Sequence, residues 1–376
     1  MTAPRSMAGP PPRPADGSAD ARPSPDDPAE PPRAARRESR PAPPQMMWHQ
    51  GRPGLQSLVV WTERVPGRGE DAEPFVAHHF GAQQGMLAVF DGSGGAGSSP
   101  AWQAPDGETR TGAWVGSRVA RLAADCWFHD VVERGQADTP EQLTQYLKYF
   151  LSKAPQRRSK IVGTMRRRLP TTLAAVQYQM REQHSIECQA LWAGDSRAYT
   201  LQPGAGLRVL TRDHTQESDA LELLRSDPPM TNSICADREF VVDVQRRSFQ
   251  LPCVFLAATD GFFGYVHTPA VFEYVLLSTL MQADNELEWA DLIRREVQGY
   301  TADDASMALI ALGYQDVRHL RGAFADRYVT VRDRYVHGRP QGTDLTERIR
   351  GWQDDTWRSY RADYETFLPP LPEEQA

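Results

Sequence analysis

Met86-Leu87-Ala88-Val89-Phe90-Asp91-Gly92-Ser93-Gly94-Gly95 joins a short apolar run to an acidic, glycine-rich turn. The run fits a buried strand bounded by turn residues. A strand end holds its last side chain rigidly, and a glycine beside it allows close approach of the backbone. The same figure recurs along the chain. Residues 254–259 close on Asp260-Gly261, Trp192-Ala193-Gly194 lead to Asp195, and Asp303-Asp304 precede the apolar run 305–312. Glu70-Asp71 stand in a glycine-containing turn ahead of another strand-like run. One Asp-Gly pair is an ordinary turn dipeptide. Several acids at strand ends would repel one another if they converged, and a hard divalent cation with oxygen ligands, Mg²⁺ or Mn²⁺, relieves that repulsion.

Outward from this stretch, residues 58–61, 75–80 and 85–90 read as strands, and 91–112 as a Gly/Ser/Pro-rich loop. Residues 113–132 read as a helix with Val115, Val119, Leu122, Cys126 and Trp127 at helical spacing. A second helix opens at Thr139-Pro140-Glu141-Gln142, with Thr139 as N-cap, Pro140 at the first helical position and Gln142 completing a capping box. Leu143, Tyr146, Leu147 and Phe150 form its apolar face. Strands are expected at 172–179, 186–193, 196–201, 207–210, 240–244, 254–259 and 305–312, with helices at 268–281 and 287–297. Strands in hairpins around helices imply antiparallel sheets with helices packed on them, an α+β domain. No internal repeat is visible.

Leu345, Ile349, Trp352, Thr356, Tyr360, Tyr364 and Phe367 recur at helical spacing, with Asp344 and Glu347 as a capping pair and Pro369-Pro370 as a stop. This reads as one amphipathic helix, either packed on the domain or presenting its aromatic face to another protein. Residues 1–45 are rich in Pro, Ala, Arg, Asp and Ser without apolar periodicity, the composition of a disordered tail. The expected organisation is therefore a tail over 1–45, a domain over 52–314 and a helical extension over 315–376.

The chain has 376 residues, of which 40% are hydrophobic, and a net charge of −7. That balance argues against nucleic acid as the main partner. Cys126, Cys188, Cys235 and Cys253 are scattered without a CxxC pair and read as reduced thiols of a cytoplasmic protein. No apolar run approaches the ~18 residues of a membrane span, and no secretory h-region precedes the domain.

The order of the acidic blocks resembles the metal-dependent protein serine/threonine phosphatases of the type 2C family, over roughly residues 55–312. The blocks are Gly69-Glu70-Asp71-Ala72, Ala88-Val89-Phe90-Asp91-Gly92-Ser93-Gly94-Gly95, Pro170-Thr171-Thr172-Leu173 and Trp192-Ala193-Gly194-Asp195-Ser196-Arg197-Ala198-Tyr199. Leu210-Thr211-Arg212-Asp213-His214-Thr215, Ala258-Thr259-Asp260-Gly261-Phe262-Phe263 and Asp303-Asp304-Ala305-Ser306-Met307-Ala308 follow. The resemblance implies a sandwich of two antiparallel β-sheets flanked by α-helices, with two divalent cations, Mn²⁺ or Mg²⁺, at one end. It implies that Asp91 bridges both, that Glu70 and the Gly92 carbonyl complete one site, and that Asp260 and Asp303 complete the other. Asp71 would orient water as a catalytic group, and Asp195 with Asp260 would hold a weaker third cation. Thr172, Arg197 and His214 would be structural. The implied reaction is direct hydrolysis of a phosphoprotein substrate, opposing a serine/threonine kinase.

Three features depart from the family pattern. Pro66 stands where relatives often carry the arginine that grips phosphate, leaving Arg64 and Arg68 on either side, Arg68 nearer to Glu70. Ser93 replaces a histidine found in animal and plant relatives, and residues 95–112 form an insertion, either a lid or a surface loop. Two rival readings follow: a phosphatase-like domain that binds a phosphoprotein or scaffolds a complex without turnover, and a two-metal hydrolase acting on a nucleotide or other small phosphate ester.

Overall fold

The computed structural model describes residues 46–371 apart from 106, 156–166, 227 and 343–344, and only the backbone of Gln183. The tail expected over 1–45, Asp106 and the cap expected at Asp344 lie outside the described residues. In chain order the elements are β1 (Met47–Arg52), β2 (Leu55–Thr62), β3 (Phe75–His79), β4 (Gln84–Val89), α1 (Gly94–Gly97), β5 (Pro100–Gln103), β6 (Thr109–Thr111), α2 (Gly112–Arg134) and α3 (Pro140–Lys153). Then come β7 (Leu173–Met180), β8 (Ser185–Ala193), β9 (Arg197–Gln202), β10 (Gly206–Val209), α4 (Ala220–Arg225), β11 (Asp243–Gln250), β12 (Cys253–Ala258) and α5 (Asp260–Phe263). The chain continues through α6 (Pro269–Gln282), α7 (Glu286–Tyr300), β13 (Ala305–Leu312), α8 (Val317–Val331), a π turn at Arg332–Val336, and α9 (Leu345–Tyr364).

Two antiparallel sheets result, ordered β1-β2-β13-β12-β9-β10 and β11-β8-β7-β4-β3. Their central strands are apolar on both faces because both faces are covered. In β13, Ala308, Ile310 and Leu312 point between the sheets, while Ala305, Met307, Leu309 and Ala311 point toward helices. In β4, Leu87 and Val89 fill the space between the sheets, and Met86 and Ala88 face the other helical layer. The alternation is the period of two that a pleated strand imposes. α2 and α3 cover the second sheet with Trp127, Phe128, Leu143 and Leu147, and α6 to α9 cover the first. No helix among the described residues is long and apolar enough to cross a membrane.

Several expected boundaries shift. The stretch after Asp91 is not an open loop: it forms α1 and the β5–β6 hairpin, and Trp102 stacks on Trp114 of α2. Leu122 is exposed, because Val115, Ala120, Ala123, Ala124, Trp127 and Phe128 take the buried face of α2. Thr139 caps α3 as expected, but the Gln142 side chain bonds Gln136 instead of closing a box. The strand expected at 240–244 begins at Asp243 and runs to Gln250, paired with β8, so its solvent-facing polar half carries no apolar signal. β1, α4 and α8 were not anticipated.

The break expected at residue 314 is not a break in packing. The described residues fall in one compact unit, Gln45–Ala376. Trp357, Tyr360 and Tyr364 of α9 share a core with α6, α8 and the first sheet, so the aromatic face is buried in the domain and not free for another protein. Beyond α9 the chain ties the two sheets together at their edges. Gln245 of β11 donates to the carbonyls of Leu210 and Phe367, at 3.0 and 2.7 Å.

The polar centre of this helical layer is a buried ion pair. Arg327 of α8 grips Glu273 of α6 through Nε–Oε1 (2.7 Å) and Nη2–Oε2 (2.8 Å), and Tyr360 of α9 donates to the same carboxylate. Glu273→Leu leaves a buried guanidinium unpaired and is expected to cost about 3–5 kcal/mol in urea unfolding, with much of the loss recovered in Glu273→Leu/Arg327→Leu. Equal destabilisation by the single and double variants would show that the pair is not what joins the three helices.

Candidate functional site

Strand register brings the acidic residues to one end of the sandwich. In the second sheet the end of β4 lies beside the starts of β3 and β7, with Ala88 opposite Phe75 and Val89 opposite Ala174. The start of β7 lies beside the end of β8, with Leu173 opposite Ala193. In the first sheet Ala258, at the end of β12, lies opposite Met307 of β13 and Arg197 of β9. Glu70-Asp71, Asp91, Asp195, Asp260 and Asp303 therefore all stand at this end.

Two glycines close the gaps between these segments. A Cβ on Gly92 would lie 2.5 Å from the Glu70 carbonyl oxygen, and one on Gly261 would lie 2.0 Å from that of Asp304. The Asp-Gly pairs thus serve backbone packing between acidic turns. Asp304 clamps the first turn, accepting from Arg64 N (2.8 Å) and Glu70 N (2.6 Å). Thr172 N and the Thr171 hydroxyl both donate to the Asp91 carbonyl, at 2.9 and 2.6 Å, and the Thr172 hydroxyl bonds that of Ser196. His214 Nδ1 accepts from Gly194 N (3.0 Å), which leaves its proton on Nε2 facing Asp243 Oδ2 (3.0 Å). Arg197 forks onto Asp213 and lies over Phe263, 4.3 Å from the ring centroid. Thr172, Arg197 and His214 accordingly hold turns.

The electrostatics show how strongly the acids feel one another. Asp91 is pushed well above the usual carboxylate range by burial, then by the charges of Asp71, Asp260, Asp195 and Asp303. Asp71 is raised to about 7 by burial and by Asp304 and Asp303, against the Ser306 and Thr259 hydroxyls. Asp195 is raised to about 8 by burial, Asp260 and Asp213. Glu70 and Asp303 are raised too, with burial the largest cause in each. Asp71 is buried, whereas Asp91, Asp195, Asp260 and Asp303 each keep part of their surface exposed. Asp195, Asp260 and Asp303 line a cleft of about 330 Å³ with Arg225, Phe263 and Tyr265. A roomier hollow of about 710 Å³ between α2 and α3 has its acids Asp125 and Asp130 already paired with His129 and Arg134.

Among the described residues no group of three His, Cys, Asp or Glu side chains stands as a formed coordination shell. Glu70 accepts from the Thr111 hydroxyl, and Asp71 from that of Thr259. The donor set is nevertheless all oxygen, and Asp195 Oδ1 is buried without a hydrogen-bond partner. Those are donors a hard divalent cation takes, so the chemistry of the residues fits one.

Both flanking arginines are exposed, and Arg64 is the one whose charge is felt at Asp303. Sequence reading missed Arg118, which donates to the carbonyls of Gly69 (3.2 Å), Glu70 (3.1 Å) and Trp114 (3.2 Å) and lies over the Trp114 ring. Burial brings it down to about 10. Its position three residues after Val115, on the buried side of α2, was the available signal. Thr111 and Thr259 carried no such signal.

No family model matches the chain, and no curated protein matches it. Among solved structures it is similar to the Mycobacterium tuberculosis serine/threonine phosphatase PstP/Ppp, with 16% identity over 69% of this chain and 100% of that chain, at a TM-score of 0.46. It is similar to Staphylococcus aureus serine/threonine phosphatase Stp1, with 15% identity over 70% and 97%, at 0.48. It is similar also to RsbX in complex with magnesium, with 14% identity over 71% and 100%, at 0.44. Likeness at this level transfers no residue role.

The raised acids set a pH dependence. A carboxyl whose folded pKa is raised contributes stability at low pH and loses it as pH climbs from its ordinary value through the folded one. In chelator the thermal midpoint should therefore fall as pH rises from 3.8 toward about 7 for Asp71 and about 8 for Asp195. Asp195→Asn should flatten the fall, and Mn²⁺ should reverse it in the parent. A midpoint that rises across this window in chelator would show that the acids do not repel.

Proposed function

We propose that the protein is a metal-dependent phosphatase that hydrolyses phosphoserine and phosphothreonine in a phosphoprotein, opposing a serine/threonine kinase in the cytoplasm. The observation that carries this reading is the convergence of Asp71, Asp91, Asp195, Asp260 and Asp303 at one end of the sandwich, where burial first and neighbouring acids second raise Asp71, Asp91 and Asp195. Asp91 with Glu70 and the Gly92 carbonyl would hold one divalent cation, Asp91 with Asp260 and Asp303 a second, and Asp195 with Asp260 a weaker third. When bound, the cations supply phosphoryl charge neutralisation and water activation.

The chain's own groups do the remaining work. Asp71, buried and bonded by the Thr259 hydroxyl, would orient water at the reacting centre. The Thr259 hydroxyl accepts from Ser306 N (2.9 Å) and donates to Asp71 Oδ2 (3.0 Å), which fixes the carboxylate in place. Of the two exposed arginines around Pro66, Arg64 is the one whose charge is felt at Asp303, and it would be the cation to meet a phosphate there. Ser93, with its hydroxyl buried beside Asp91, does not replace the proton chemistry of a histidine.

One observation favours the rival, a phosphatase-like domain that binds a phosphoprotein without turnover: the acids form no ready coordination shell, and Glu70 is engaged by Thr111. Hydrolysis of an aryl phosphate and of a phosphothreonine peptide with Mn²⁺ separates the two. Turnover abolished by chelator and reduced at least about 100-fold in Asp91→Asn and Asp260→Asn is expected, the scale of losing one stabilising group at a reacting centre. Turnover that survives in both variants refutes the site. Absence of turnover in folded parent protein with any divalent metal selects the binding domain.

A further inference from the structure

We propose that α9 is the strut that positions one wall of the cleft beside the acids, and that a phosphoprotein is recognised only while α9 holds that wall. The proposal rests on the phosphatase reading for its substrate and deepens it. Residues 223–226 and Pro228 face Asp195, Asp260 and Asp303 across the cleft, and most of this wall belongs to α4. α4 has six residues, fewer than a helix needs to stand alone in water.

Its two ends are held from outside by α9. At the first, Asp219 caps α4 with Oδ1, which accepts from Leu221 N (2.9 Å) and Glu222 N (3.2 Å). Asp219 Oδ2 is turned the other way and accepts from Trp357 Nε1 (3.1 Å) and Arg361 Nη1 (2.7 Å) of α9. At the second end Arg225 splits its guanidinium. Nη1 reaches Glu222 within α4 (2.7 Å), and Nη2 reaches Asp354 Oδ1 (2.6 Å) and Gln353 Oε1 (3.3 Å) of α9.

α9 can bear this because its other side is fixed independently. Tyr360 is bonded to the buried Glu273, and Tyr364 is buried with its hydroxyl 3.4 Å from Arg197 Nη1. Asp354, Trp357 and Arg361, at spacings of three and four, form the edge between the buried face and solvent, and that edge meets α4. The acids themselves are held by strand ends and by the Thr171, Thr172, Thr259 and Asp304 bonds, none of which involves α9. A small phosphate ester needs only the acids. A peptide on either side of a phosphorylated residue must also lie against the wall.

The test uses the full chain and Asp354→Asn/Arg361→Gln, which removes the two ion pairs between α4 and α9, leaves the Trp357–Asp219 and Gln353–Arg225 bonds, and keeps the buried face of α9. Two readouts are taken: Mn²⁺-dependent kinetics on a phosphothreonine peptide and on p-nitrophenyl phosphate, and amide exchange over α4 and α9. A rise of about tenfold in peptide KM is expected, with aryl phosphate kcat/KM within about twofold of the parent. Exchange should quicken over α4 and stay slow over Trp357 to Tyr364, and Asp354→Glu should retain the parent values. Unchanged exchange over α4, or equal losses on both substrates, overturns the proposal. Failure of the parent to hydrolyse either ester would sink the phosphatase reading, and the exchange data would still decide whether α9 positions α4.

Discussion

Acids that repel one another are held together here by strands that cannot let them part. Asp91 and Asp260 sit at the ends of central strands paired on both sides, and Asp303 leads into a third such strand. Moving any of them away would break ladder bonds and expose side chains packed on two faces. Burial and that repulsion therefore appear together as protons retained toward neutral pH, with Asp71 raised to about 7 and Asp195 to about 8, and not as displaced chain. Everything that stiffens the sandwich serves this one end. The layer between the sheets, with Leu87, Val176, Phe255 and Ile310, keeps the two sets of strand ends at a fixed separation.

Around the acids, the next layer consists of small polar groups that satisfy turn backbones. Thr171, Thr172, Ser196, Thr259, His214 and Asp304 each bond to a segment that carries an acid. Arg118 does the same from α2, with its charge spent on three carbonyls. The helical side contributes at longer range. Glu273, Arg327 and Tyr360 join α6, α8 and α9 through one buried carboxylate, and Arg197 connects α9 to the turn after β10 through Tyr364 and Asp213. A segment that reads as an appendage in the sequence is thus a member of the core.

What was legible in the sequence follows from which signals are local. Ala305–Leu312 was found to the residue, because a strand covered on both faces is apolar throughout and bounded by turns. The acids stood out because each lies just after or just before such a strand, beside a glycine or in a turn. β11 was misplaced because half of it faces solvent, and Val244, Gln245, Arg246 and Arg247 have no apolar rhythm. α4 and α8 were missed because their burial depends on α9 and α6, partners that no short window contains. The supporting hydroxyls at Thr111 and Thr259 were invisible for the same reason: threonine at a strand end is common, and only the fold shows what it touches.

The insertion after Gly95 is resolved by the same physics. Ala101 and Ala104 are buried, Trp102 stacks on Trp114, and Thr111 both caps α2 and donates to Glu70. A segment with these attachments is a brace for the first acidic turn. With Arg118 and Asp304 it means that Glu70-Asp71 is held from three directions, although no arginine occupies position 66. A domain that served only to bind a partner would gain stability by losing one of the mutually repelling acids, since neutral replacements remove the repulsion at no cost to the strands. The combined charge of the acids is what a divalent cation would neutralise, and that is the ground on which the catalytic reading rests.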